Sequence, residues 1–208
     1  MATIYVKSKV YTVYNDIHEF APHALNIPVD PQGVYAGDIV DLYSCKPEEL
    51  PTAYSRITEL KNLLGDRYIY GNHELNPAEA YDNYVDEGIY FCHGHMQMMV
   101  DPMGFMKSKP GASDFKRFWI KMGEYLRKFL NVPITDDQAK KFLAVAKIAK
   151  CHTVVCGHHH PKKPSIKDFD YNGEKVRIII LPRGKHQVVN DNGVVKILKT
   201  SDELYLNK

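Results

Sequence analysis

Five short β-like segments of this chain each run directly into a polar motif, and this repetition constrains the fold more than any other feature of the sequence. The segments are rich in β-branched and aromatic residues, as strands are, and they cover residues 9–14, 33–36, 68–70, 88–92 and 153–156. In open α/β sheets, ligands gather outside the carboxyl ends of the strands. We therefore expect the five motifs to form one site.

The five motifs contain Asp, Asn and His and no cysteine. In chain order they are Asp16-Ile17-His18, Gly37-Asp38 with Asp41, Gly71-Asn72-His73-Glu74, His93-Gly94-His95 and Gly157-His158-His159-His160. Taken singly, each has an ordinary explanation as a turn, a helix start or a histidine satisfied by backbone groups. Taken as an ordered set, they offer carboxylate, imidazole and amide oxygen ligands, which suit divalent ions such as Mn²⁺, Fe²⁺ and Zn²⁺. The set predicts a metal site.

The rest of the chain adds helices and further strands to this pattern. Predicted helices cover residues 51–64 and a shorter stretch from Asn76-Pro77 to about residue 85. Predicted strands cover residues 174–181, 187–190 and 194–199, and residues 2–6 are a candidate edge strand. Asp191-Asn192-Gly193 between the last two strands is a strong hairpin signal. This mixture indicates the α/β class.

Segment 96–150 is expected to be a helical insertion within one domain that spans residues 1–208. A first helix begins at Ser113, and a capping box of Thr135 with Gln138 begins a second. The apolar stripe of the first helix comprises Phe115, Phe118, Trp119, Met122, Leu126 and Phe129, and that of the second comprises Phe142, Leu143, Ala146 and Ala149. Three interpretations are open for this segment: core packing, a lid over the site, or a dimer contact.

Composition narrows the class of protein. With 208 residues, 44% hydrophobic and 25% charged, the chain can bury a sizeable core. Its formal net charge of +2 gives no electrostatic reason to expect nucleic acid or an anionic membrane as the partner. The four cysteines form no C-x-x-C pair, and the N-terminus has no apolar run of signal-peptide type. We expect reduced thiols and a cytoplasmic location.

The ordered motifs D-x-H, G-D-x-x-D, G-N-H-E, H-G-H and G-H-x-H resemble those of the calcineurin-like metallophosphoesterase superfamily. The resemblance touches residues 16–160, which is most of the chain. It implies an α+β-like four-layer sandwich, in which two packed mixed β-sheets are flanked by helices and segment 96–150 forms a lid. It also implies an enzyme that hydrolyses a phosphoric monoester, diester or pyrophosphate with a metal-bridging hydroxide.

Carried over residue by residue, the resemblance implies a dinuclear site for two divalent metal ions. Mn²⁺ is the first candidate, with Fe²⁺, Zn²⁺ and Ni²⁺ as alternatives. The implied ligands are Asp16, His18 and His160 for one ion, Asn72, His93 and His158 for the other, and Asp38 as the bridge.

The resemblance also implies roles around the metals. His73 would be the general acid, and Asp41 would orient its ring, since an imidazole needs a partner to fix its tautomer. Asn72, His95 and Arg183 are the predicted substrate contacts. His95 also remains an alternative to His93 as a ligand.

The substrate is less defined than the metal site. We expect a phosphorylated small molecule or a nucleotide, and the oligomeric state stays open. The second motif continues as Leu42-Tyr43 without the arginine found in protein Ser/Thr phosphatases, which disfavours that activity. The alternatives are a nuclease or nucleotide phosphodiesterase, although no dense basic and aromatic stripe is evident, and an inactive scaffold of the same fold.

Overall fold

The computed structural model describes residues 8–127 and 133–199, apart from the side chains of residues 124–127. Within these ranges, ten strands form two mixed sheets of five strands each. The candidate edge strand at residues 2–6 lies outside the described residues, and so do Phe129 and the side chain of Leu126.

The first sheet has the strand order β10-β9-β1-β2-β3. Its strands are β1 (Lys9–Asn15), β2 (Val34–Ala36), β3 (Tyr68–Ile69), β9 (Gly184–Asp191) and β10 (Val194–Lys199). β1, β2 and β3 are parallel, whereas β9 runs antiparallel to β1 and β10. The first three motifs therefore begin at the same end of this sheet, where its three parallel strands finish.

The second sheet has the strand order β4-β5-β6-β8-β7. Its strands are β4 (Asn83–Asp86), β5 (Ile89–Cys92), β6 (Thr153–Cys156), β7 (Ser165–Tyr171) and β8 (Glu174–Ile180). β5, β6 and β8 are parallel, and the edge strands β4 and β7 are antiparallel to their neighbours. The fourth and fifth motifs follow β5 and β6.

Three apolar layers hold the molecule together. Val13 and Phe91 belong to the layer buried between the two sheets. Helix α1 (Leu50–Leu64) packs against the outer face of the first sheet, and α5 (Asp136–Ile148) buries Phe142 against the outer face of the second. The order helix, sheet, sheet, helix confirms the predicted α/β sandwich of two mixed sheets flanked by helices.

The predicted helix from residue 76 to about residue 85 is wrong. Pro77–Glu79 form one 3₁₀ turn, and β4 then pairs with β5, with Tyr84 opposite Phe91. Glu87 and Gly88 close this hairpin with φ values of 44° and 77°, the left-handed geometry of a tight β-turn. The β-forming residues and this turn outweigh the helix-start signal of Asn76-Pro77.

Segment 96–150 contains most of α2 (His95–Met98), together with α3 (Pro102–Met106), α4 (Asp114–Arg127) and α5. Helix α5 belongs to the core, whereas α4 exposes its apolar stripe to solvent. Phe115, Phe118, Trp119 and Met122 are 39–75% exposed, so core packing is the wrong interpretation for these four residues. Among the described helices, none has both the length and the apolar character needed to span a membrane.

Candidate metal centre

The five motifs meet at one end of the sandwich. The strands that precede them finish there with their carboxyl ends, and these strands are β1, β2, β3, β5 and β6. Backbone hydrogen bonds join the motif loops to one another. The N–H of Asp16 donates to the carbonyl of Gly37 (3.1 Å), that of His18 to Asp38 (2.9 Å), and that of Gly157 to His93 (3.2 Å). These bonds fix the relative positions of the side chains that the motifs carry.

Asp16, His18 and His160 form a first group of candidate ligands. Nε2 of His160 lies 2.9 Å from Oδ1 of Asp16 and 3.3 Å from Nε2 of His18. One ligand atom from each residue lies within 4.8 Å of the other two, and all three residues are buried or nearly so. These are the three residues expected to hold the first ion.

Asp38, His93 and His158 form a second group of the same kind. Nε2 of His93 lies 3.1 Å from Oδ2 of Asp38, from Oδ1 of Asn72 and from Nδ1 of His158. Oδ2 of Asp38 is also 3.9 Å from Nε2 of His18 in the first group. Asp38 therefore lies between the two groups, where a bridging carboxylate is expected.

The backbone of the candidate ligands is unusual. Residues other than glycine seldom adopt positive φ angles. Such angles occur here at Asp16 (52°), His18 (56°), Asp38 (52°), His158 (73°) and His160 (46°). Such conformations cost energy and cluster at functional sites, where the surrounding structure imposes them. Five of the seven predicted metal ligands share this feature, which supports a positioned ligand set.

The charge states of the candidate carboxylate and imidazole ligands also bear on cation binding. Burial alone would raise the pKa of Asp16, but the imidazoles of His160 and His93 hold it well below its ordinary value. Burial lowers the pKa of His18 and of His158, so both rings are neutral and keep a lone pair for a metal ion. Burial would also lower the pKa of His93, but the charges of Asp38 and Asp16 raise it to about 10. Carboxylates and imidazoles together are the donors that suit divalent ions of the Mn²⁺, Fe²⁺ and Zn²⁺ type.

Asp41 faces two histidines rather than one. Its Oδ2 lies 2.9 Å from Nδ1 of His73 and 3.0 Å from Nδ1 of His18. The contact with His73 is at ion-pair distance but is not aligned as an ordinary hydrogen bond. Burial would lower the pKa of His73, but the charges of Asp41 and Asp38 raise it to about 9. The ring of His73 is therefore protonated at neutral pH.

Glu74 has a role that the motif alone did not reveal. Its carboxylate accepts hydrogen bonds from the backbone N–H groups of Asp38 (3.1 Å), Ile39 (2.7 Å), Val40 (3.0 Å) and Gly71 (2.7 Å). It is 2% exposed. Glu74 thus joins the loop after β2 to the loop after β3, and so places Asp38 beside Asn72.

Gly71 allows these two loops to approach closely. A Cβ atom at this position would overlap the carboxylate and the backbone nitrogen of Asp38. The backbone N–H of His73 donates to Oδ1 of Asp38 at 2.8 Å, which leaves Oδ2 facing the histidine rings. The glycine of the G-N-H-E motif is therefore a requirement of packing.

Of the three predicted substrate contacts, Asn72 lies beside His93 in the second ligand group, whereas His95 and Arg183 do not line the cavity next to His73. His95 is buried, its ring centroid is 5.4 Å from that of His93, and burial together with the charge of His93 lowers its pKa to about 3. Arg183 donates from Nε to the carbonyl of Asp16 (2.9 Å) and from Nη2 to that of His23 (2.8 Å). Arg183 thereby holds the loop after β1, and its contact with substrate stays a prediction.

A cavity of about 260 Å³ opens next to the two groups. The residues that line it include His18, His73 and His160, together with Tyr43, Phe105 and Ile120. His73 stands at the boundary between the candidate ligands and this cavity. His73 is one of the polar side chains that line this cavity, together with His23, Ser44 and His160.

No model of a known protein family matches this chain, and no curated protein matches it in a sequence search. We therefore infer the function from the geometry of the site and from the motifs themselves.

Proposed function

We propose that the chain is a dinuclear metal-dependent phosphoesterase of the calcineurin-like kind, which hydrolyses a phosphoric ester. The single observation that supports this most strongly is the position of Asp38 between two buried His/Asp groups. Its Oδ2 lies 3.1 Å from Nε2 of His93 and 3.9 Å from Nε2 of His18. Two adjacent cation sites that share a carboxylate are the arrangement that phosphoryl transfer to water uses.

Each side chain has a defined part in this proposal. Asp16, His18 and His160 would hold one divalent ion, Asn72, His93 and His158 would hold the other, and Asp38 would contribute to both. When bound, the pair of ions supplies Lewis-acid stabilisation of the phosphoryl oxygens and an activated water for in-line attack. The preorganised loops contribute the fixed positions of the ligands, because no side chain needs to move far to meet an ion.

His73 donates the proton in this proposal. Its Nδ1 faces Asp41 at 2.9 Å, and its Nε2 lies 4.0 Å from Oδ2 of Asp38, beside the candidate ion sites. Against the effect of burial, the charge of Asp41 raises the pKa of His73 and so favours the protonated ring. A leaving oxygen in the neighbouring cavity can therefore take this proton as the phosphorus–oxygen bond breaks.

The alternatives are less well supported. A nuclease would need an open groove for a polymer, whereas the cavity beside His73 is small and bounded by α4. An inactive scaffold would not need both complete groups of ligands together with His73. We also keep a cytoplasmic location within the proposal, since Cys45, Cys92, Cys151 and Cys156 are all unpaired thiols.

Hydrolysis assays test the proposal. The protein is stripped of metal, reloaded with Mn²⁺, and given p-nitrophenyl phosphate or bis-p-nitrophenyl phosphate. We expect turnover that depends on Mn²⁺, with the monoester preferred if the enzyme is a phosphatase. The variant His73→Asn should keep its metal and lose most turnover, about 100-fold or more. Metal-dependent turnover of neither ester, or full activity in His73→Asn, would contradict the proposed mechanism.

A further inference from the structure

The cavity beside His73 has an aromatic wall that the candidate metal ligands do not explain. The ring centroid of Phe105 lies 5.3 Å from that of His73, and the ring of Tyr43 lies 5.7 Å from His73 and 4.7 Å from Phe105. Such separations are those of interacting aromatic rings. The rings of Tyr43 and Phe105, which are tilted relative to each other, therefore lie directly beside the ring that we propose as the proton donor.

Helix α4 also lines this cavity, through Ile120 and Gly123. Arg117, one turn earlier, is 14% exposed and donates from Nη1 to the carbonyls of Phe20 (2.9 Å) and Ser44. These carbonyls belong to the loops after β1 and β2. Arg117 thus attaches α4 to the loops that carry the candidate ligands, and the cavity wall is tied to the site.

A second residue of α4 contacts the aromatic wall, which is formed by Tyr43 and Phe105. The ammonium group of Lys116 lies 3.6 Å from the ring centroid of Tyr43, which is cation–π geometry. Lys116 lies on a different face of α4 from the exposed stripe that contains Phe115. The helix therefore contacts the site with one face, while its most apolar face remains exposed.

The volume of the cavity limits what it can hold. At about 260 Å³ it is smaller than the range of roughly 300–1,000 Å³ that is usual for drug-sized ligands. A single ring with a short substituent is of a size that suits this space.

The position of the cavity decides which part of a substrate would occupy it. A general acid must lie within hydrogen-bond reach of the oxygen that it protonates. If the phosphoryl group sits between the two ligand groups, the leaving alcohol extends past His73 towards Tyr43 and Phe105. The aromatic wall then contacts the leaving group.

We propose that this cavity is a leaving-group subsite that selects phosphate esters of compact, ring-bearing alcohols. Tyr43 and Phe105 contact the ring of the substrate on one side, and Ile120 contacts it on the other. This inference rests on the proposed phosphoesterase function and names its substrate class. Phe105, which carries no candidate ligand atom, is its specificity-determining residue.

Binding of two phosphonates to the Mn²⁺-loaded protein tests the inference without turnover. Phenylphosphonate and methylphosphonate have the same anionic head and a carbon–phosphorus bond that this site would not hydrolyse. Isothermal titration calorimetry should show that phenylphosphonate binds about tenfold more tightly, because its ring is buried against aromatic side chains. The variants Phe105→Ala and Ile120→Ala should each reduce this preference to about threefold or less while methylphosphonate affinity stays the same.

Phe115→Ala is the matched control, because Phe115 is 75% exposed on the outer face of α4. It should leave the preference for phenylphosphonate unchanged. Equal binding of the two phosphonates to a protein that hydrolyses esters would overturn the subsite and leave the proposed function standing. An undiminished preference in both Phe105→Ala and Ile120→Ala would overturn the location of the subsite. Binding of neither phosphonate, together with no hydrolysis, would overturn the function and the subsite together.

Discussion

Nδ1 of His73 lies 2.9 Å from Oδ2 of Asp41, a carboxylate with no exposed surface. Asp41 therefore acts on the proposed acid from inside the protein, where water does not screen its charge. The same oxygen lies 3.0 Å from Nδ1 of His18, so one carboxylate serves both the proton donor and a candidate metal ligand.

The variant Asp41→Asn tests the link between Asp41 and His73. Loss of the negative charge should lower the pKa of His73, which Asp41 and Asp38 raise to about 9. Because the acid must be protonated, activity is lost as pH rises through this pKa. The alkaline limb of the pH–rate profile should therefore move to lower pH. We also expect kcat to fall by about 10–100-fold, the usual cost of removing such a partner.

Metal content separates the two roles of Asp41. If Asp41 acts mainly through His73, Asp41→Asn should retain its metal, and the double variant with His73→Asn should be no slower than His73→Asn alone. A lower metal content would instead assign the main effect to His18. An unchanged pH–rate profile in Asp41→Asn would contradict the proposed influence on His73.

Glu74→Gln tests the connection between the loops after β2 and β3. Glu74 accepts four backbone N–H bonds, whereas a glutamine would place an NH₂ group against some of these donors. We expect the free energy of unfolding to fall by about 2–4 kcal/mol, measured by urea denaturation. Glu48→Gln, at an exposed position, should change it by less than about 0.5 kcal/mol. Equal stability of the two variants would show that the hydrogen bonds of Glu74 contribute little to the free energy of unfolding.

Arg117→Ala tests the attachment of α4. Without the bonds to the carbonyls of Phe20 and Ser44, local opening of α4 should become easier. We expect amide hydrogen exchange in the first turns of α4 to rise by about tenfold or more, while exchange in β1 and β6 stays the same. Lys121→Ala, on the exposed part of the helix, is the control. Similar exchange in both variants would mean that Arg117 does not hold the helix.

The sequence predicted the strand-end motifs because each one combines a local signal with a simple rule of topology. The five β-rich segments all appear as strands, and parallel pairing brings their carboxyl ends to one edge. The residues expected to hold the ions lie in two compact groups, with Asp38 between them. The choice of individual ligands came from the resemblance of the ordered motifs, and each ligand lies within four residues of the end of its strand.

Other features depend on contacts that a linear pattern does not contain. β7 was not predicted, because its apolar residues alternate with Lys and Asp as suits a half-exposed edge strand. The Asn172-Gly173 dipeptide that closes its hairpin with β8 was the available signal. The role of Glu74 had no such signal, since three of its four backbone N–H partners lie more than thirty residues earlier in the chain. The aromatic wall of Tyr43 and Phe105 likewise forms only in the folded protein.

The most direct test of the account is the number of Mn²⁺ ions bound by the metal-stripped protein, measured by calorimetry and by elemental analysis after dialysis. The account predicts two ions per chain for the unmodified protein and for His159→Asn, because His159 belongs to neither ligand group. It predicts loss of one ion, or at least about tenfold weaker binding of it, in the neighbouring variants His158→Asn and His160→Asn. No bound Mn²⁺, or two ions held equally well by all three variants, would contradict the account.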